Sequence, residues 1–87
     1  MDSRIAIIAI IVENKDSVAK LNSILHEYSD YIVGRMGIPY RKRNIQVISV
    51  IVDAPNDVIS ALSGKLGMLP NINTKTVYSN VSHTANQ

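Results

Sequence analysis

Residues able to do chemistry are sparse in this chain. Its 87 residues include two histidines, His26 and His83, and no cysteine. Without a thiol there is no disulfide, no thiolate metal site and no cysteine nucleophile. His26 is followed directly by Glu27, but adjacent residues on a helix point about 100° apart, so the two do not converge on one ion. A histidine near a helix C-terminus is instead favoured there as a cation. No acid and base stand at a useful spacing, no hydroxyl has a candidate base, and no cofactor loop is present. The expectation is a protein with no catalytic residue, no metal ligand and no cofactor.

Three polar clusters remain. Asn14, Asp16 and Ser17 follow an apolar run; they suit a polar ligand at a subunit interface, or simply the capping of a helix. Arg35 sits in the segment Gly34-Arg35-Met36-Gly37-Ile38-Pro39. Its guanidinium could fork onto a carboxylate or phosphate, while the glycines suggest a bulge, a bend or close approach to a neighbouring subunit. Arg41, Lys42 and Arg43 place three of the nine basic residues on one turn. That is a solvated tip, or a weak contact for nucleic acid or an acidic partner surface. Ser63-Gly64-Lys65-Leu66-Gly67 lacks the spacing of a phosphate loop and falls at a helix end whose dipole disfavours anions.

These clusters must be carried by secondary structure. Ile5 to Val12, "IAIIAIIV", is eight residues of mostly β-branched type, too short for a lone helix and suited to a strand. Val18, Leu21, Ile24, Leu25 and Tyr28 recur at helical spacing, predicting a helix over about 16–29. A second strand is expected over 31–40, at a sheet edge because of its glycines and Pro39. Arg41 to Asn44 form a turn and 45–52 a third strand. Pro55 punctuates the chain before a second helix marked by Val58, Ile59, Leu62 and Leu66, with Gly67 as its stop. A last strand covers 72 to about 81. The order β-α-β-β-α-β is the α+β ferredoxin-like arrangement, a four-stranded antiparallel sheet with two helices on one face. Residues 1–81 are read as one domain, and 82–87, which have no apolar pattern, as a disordered tail.

The two strands expected at the sheet centre are apolar on both sides. Ile5, Ile7, Ala9 and Ile11 alternate with Ala6, Ile8, Ile10 and Val12, and Ile45, Val47 and Ile51 with Ile48, Val50 and Val52. A sheet with one wet face should alternate apolar with polar. Helices on one side leave about five aliphatic side chains bare, and covering them is worth several kcal/mol at about 25 cal/mol per Å2. Self-association as a dimer or tetramer is expected, with the contact assigned to Ile8, Ile10, Ile48 and Val50, joined by Gly34 and Met36 from the edge.

The stretches "IAIIAIIVENKDSVAKL" and "DVISALSGKLGMLPNI" resemble ACT-type regulatory domains. Over nearly the whole chain, "LHEYSDYIVGRMGIPY", "ALSGKLG" and "KTV" resemble more closely the small iron-only hydrogenase system regulators. Members of that family are ascribed a transcriptional regulatory role and an ACT-like fold similar to the sensor half of nickel-responsive repressors. The resemblance implies a homo-oligomeric regulatory domain that senses a small molecule or binds a partner protein. Where amino-acid-binding ACT domains carry a glycine before the first helix, this chain has Ser17 preceded by Asp16, whose charge repels an amino acid's carboxylate. The nickel sensors' histidines and cysteine have no counterpart in "GRMGIPYRKRN".

Composition agrees with a small-molecule or protein partner. A net charge of +2 is too slight to indicate a nucleic-acid or membrane partner. The longest apolar run falls far short of the roughly 20 residues that cross a bilayer, and no leader-like segment precedes it, so a cytoplasmic protein is expected. Two alternatives to the sensing domain stay open: a purely structural oligomerisation module without a ligand, and a weak nucleic-acid binder through the Arg41–Arg43 tip.

Overall fold

The computed structural model describes residues 2–79. The tail expected over 82–87, and with it His83, lies outside them. The elements are β1 (Arg4–Val12), α1 (Val18–Glu27), β2 (Ile32–Tyr40), β3 (Ile45–Ala54), α2 (Asn56–Gly67) and β4 (Ile72–Tyr78), with 3-10 turns at Lys15–Ser17, Ser29–Tyr31 and Arg41–Arg43. The sheet order is β2-β3-β1-β4, and all three pairings are antiparallel. The two apolar strands are central and β2 is an edge, as the pattern predicts. β3 runs two residues past the expected end, because Asp53 and Ala54 continue the ladder opposite Ile5 and Arg4.

Local chemistry explains the ends. Asn14 Oδ1 accepts a hydrogen bond from the Asp16 amide at 2.9 Å, and the Ser17 amide donates to the Asn14 carbonyl at 3.1 Å. Asn14 thus caps the 3-10 turn rather than α1 itself. Ser17, at the α1 N-cap, is buried and uses its hydroxyl elsewhere, donating to the Pro70 carbonyl at 2.7 Å. This bond fastens the β1–α1 turn to the α2–β4 turn. α2 starts on Pro55, whose carbonyl accepts from the Val58 and Ile59 amides, both at 3.1 Å. Gly67 does not stop α2 by a left-handed conformation: it is the last helical residue, and the positive φ falls on Asn71, at 57°. Pro70, which has no amide hydrogen, and Asn71, which tolerates that region, redirect the chain instead. Asn44, at φ 55°, does the same for the β2–β3 hairpin.

β1 and β3 each bury one side completely. Ala6, Ile8, Ile10 and Val12 meet Ile48, Val50, Val52 and Ala54, and this layer packs against Leu21 and Leu25 of α1 and Ile59, Leu62 and Leu66 of α2. The helices are tied at their surface by Lys65, whose Nζ lies 3.1 Å from Glu27 Oε2 and 5.2 Å from the centre of the Tyr28 ring. The hydrogen bond to Glu27, then that to Tyr28, raises the Lys65 ammonium above its ordinary pKa. Among the described residues, no helix is long and apolar enough to cross a membrane.

Candidate binding surfaces

The C-terminal end of β1 leaves a gap. Val12 pairs with Gln46 on the helix side of the sheet, and the next segment turns away through Lys15 into α1. The β2–β3 hairpin closes beside it at Pro39, Tyr40 and Arg41. Between them lies an open cleft of about 640 Å3, within the range of small-molecule sites. Val12, Val18, Pro39 and Ile45 supply apolar wall, and Lys15 and Arg41 supply cations from two different elements. Among the described residues, no carboxylate lines it.

The residues expected to form a ligand site do not come together. Asn14 and Ser17 spend their side chains on the turn, and neither they nor the exposed Asp16 line the cleft. Arg35 pairs with Val50 in mid-strand and reaches α1 instead, donating from Nη2 to Asn22 Oδ1 at 3.2 Å. It borders a smaller depression of about 310 Å3 with His26 and Ser29. Of the basic tip, Arg41 lines the cleft, while Lys42 and Arg43 are exposed beside it. Lys15 was missed by the sequence reading. Its signal is a cation in a first turn that otherwise favours acids. Among the described residues, no cluster of three or more histidine and acidic side chains could hold a metal.

The second surface is the sheet face opposite the helices. Residue parity and register place Ile5, Ile7, Ala9 and Ile11 of β1 there, with Val47, Ser49, Ile51 and Asp53 of β3. This corrects the assigned contact: Ile8, Ile10, Ile48 and Val50 belong to the core, because the helices cover their side of the strands. Gly34 and Met36 do fall on the open side, opposite Ile51 and Ser49. An extra residue, Val33, bulges between Ile32 and Gly34. A Cβ built at Gly34 would meet nothing within 4 Å, so packing among the described residues does not require a glycine there.

Rows across the open face follow from the register. One aliphatic ridge is Ile51-Ile7-Val77, a second is Ile38-Val47-Ile11, and Ala9 and Ser49 lie between them. Small residues flanked by large ones make a shallow trough. Ile5, Ile7, Ile11, Met36, Ile38, Tyr40, Val47, Ile51 and Val77 are all classed as exposed, Ile7 at 42%. Together they make an apolar patch of the kind that marks an interaction site on a protein surface.

Comparison with known proteins agrees with this architecture. A family model described as "TM1266-like: Iron-only hydrogenase system regulator, putative" matches residues 4–76. The structure of the uncharacterized protein TM1266 from Thermotoga maritima is similar with a TM-score of 0.84 and 36% identity, over 87% of this chain and 96% of that one. A formyltetrahydrofolate deformylase from Pseudomonas putida KT2440 gives a TM-score of 0.64 at 13% identity, over 88% of this chain and 29% of that one. An unknown protein from Galdieria sulphuraria gives 0.62 at 13% identity, over 91% and 46%. The last two share the fold alone. No curated protein matches the chain.

Proposed function

Since the chain belongs to the TM1266-like family of iron-only hydrogenase system regulators, we propose that it is a self-associating regulatory module, two copies of which pack open face to open face. The observation that carries this reading is the sheet face bearing Ile5, Ile7, Ile11, Val47 and Ile51, which no helix among the described residues covers. A sheet face with aliphatic rows from β2, β3, β1 and β4 suits an isologous contact, in which the same patch serves both copies. Asp53 at one end and Lys75, which pairs with Ala9 in β1, add polar groups that fix the orientation of the second copy.

Regulation then consists of coupling this assembly to a small-molecule effector or a partner protein. Nucleic acid is not the direct partner in this reading. Sheets of this strand order that bind RNA stack bases on aromatic side chains, whereas the central strands here offer isoleucine and valine. Light scattering on the chain at micromolar concentration tests the proposal. The expected mass is at least twice 9.6 kDa, falling to that of one chain in Ile7→Lys. A lone particle at every concentration overturns it.

A further inference from the structure

We propose that the cleft between the start of α1 and the β2–β3 hairpin binds a small organic anion with an apolar body, its carboxylate or phosphate held between Lys15 and Arg41. This rests on the reading that the module receives a small-molecule signal, and it names the class of that molecule.

Charge and shape both select it. Lys15 comes from the turn before α1, and Arg41 from the hairpin. Two cationic side chains lining one cleft, with no carboxylate beside them among the described residues, favour an anion as its occupant. The Arg41 guanidinium offers a fork that fits a carboxylate or phosphate in bidentate fashion, and the Lys15 ammonium adds a mobile point charge. The short turn at Lys15–Ser17 keeps Lys15 in place, because Asn14 caps it and Ser17 is bonded to Pro70.

The apolar part of the wall decides against a bare inorganic anion. Val12, Val18, Pro39 and Ile45 line the cleft, and its volume of about 640 Å3 far exceeds that of phosphate. Filling it removes apolar surface from water on both sides. An α-amino acid fits poorly: among the described residues no carboxylate lines the cleft to pair its ammonium, and the nearby Glu13 is engaged with Asn73 Nδ2 at 3.3 Å.

The test is amide chemical-shift titration of the whole chain with phenyl phosphate, phenylacetate, inorganic phosphate and benzyl alcohol, with light scattering on the same samples. Phenyl phosphate or phenylacetate should give saturable shifts at Lys15, Val18, Arg41 and Gln46. Inorganic phosphate and benzyl alcohol should bind at least ten-fold more weakly. Lys15→Gln and Arg41→Gln, both at exposed positions, should each weaken the aryl anion at least ten-fold, and Arg35→Gln should leave it unchanged. No saturable shift, equal binding of inorganic phosphate, or equal weakening by Arg35→Gln overturns the proposal. A two-fold particle that binds neither aryl anion defeats only this inference. A lone particle that binds one in the cleft supports it and defeats only the self-association.

Discussion

The two faces of the sheet are made of the same residue types and have opposite fates. Ile8 and Ile7 are neighbours in β1; the first is fully buried beneath the helices and the second is 42% exposed. Ile10 and Ile11, and Val50 and Ile51, repeat the contrast. Hydrophobicity alone therefore does not distinguish a side chain of the core from one left on the open face. What distinguishes them is which side α1 and α2 can reach. One face supplies folding stability, and the other leaves its apolar surface exposed.

The contrast is broken most severely from the helix side. Ile8→Ala leaves a cavity in a layer bounded by both helices and should cost about 2–5 kcal/mol of unfolding free energy. The check is denaturant unfolding at fixed protein concentration, since association adds to apparent stability. Ile7→Lys, one residue away, should leave the circular dichroism of the chain intact and weaken self-association by more than about 100-fold, because a lysine ammonium cannot be left unpaired in an apolar contact. Equal effects of the two substitutions on fold and on assembly would erase the distinction between the faces. A subtler probe is Gly34→Val, where an added Cβ has free space within the chain. The monomer fold should survive while sedimentation shows weaker association.

Two smaller effects test the scaffold behind the cleft. Ser17→Ala removes the donor to the Pro70 carbonyl and should lower stability by about 1–3 kcal/mol. It should also loosen the turn that carries Lys15, seen as faster hydrogen exchange at the Lys15 and Asp16 amides. The smallest effect belongs to Lys65. Folding raises its pKa, first through the hydrogen bond to Glu27, so its contribution is complete below the ordinary value of 10.5 and is lost as pH rises through the folded value. The pair is exposed, so screening keeps the effect small. The drop in melting temperature between about pH 9 and about pH 12 should be slightly greater for the natural chain than for Lys65→Gln.

Much of the architecture was legible before the structure. Eight consecutive apolar residues predicted β1, helical spacing from Val18 to Tyr28 predicted α1, and Gly34, Gly37 and Pro39 marked β2 as an edge. The two-sided apolar pattern announced an uncovered face without saying which face it was. Period-2 alternation carries no sign, because both parities of β1 are aliphatic. The clue lay in Asp53, which shares its parity with Val47 and Ile51 and so marks the wet side of β3. The cleft was less visible still. The sequence marks Arg41 only as part of a charged tip and gives Lys15 no distinction, since only the register that sets Val12 beside Gln46, and Gln46 beside Pro39, brings the two turns together. Gly67 does mark the end of α2, but without the left-handed conformation a glycine stop suggests; the positive φ falls on Asn71, in the turn into β4.

The most direct measurement of face-to-face assembly is an isotope-filtered NOE experiment on a mixture of labelled and unlabelled chains. Intermolecular NOEs from the methyl groups of Ile7, Ile11, Val47 and Ile51 to one another are expected, with none from Ile8, Ile10 or Val50. An assembled particle whose intermolecular NOEs arise from the helices or from the β2 edge, with those four methyl groups silent, would contradict the account.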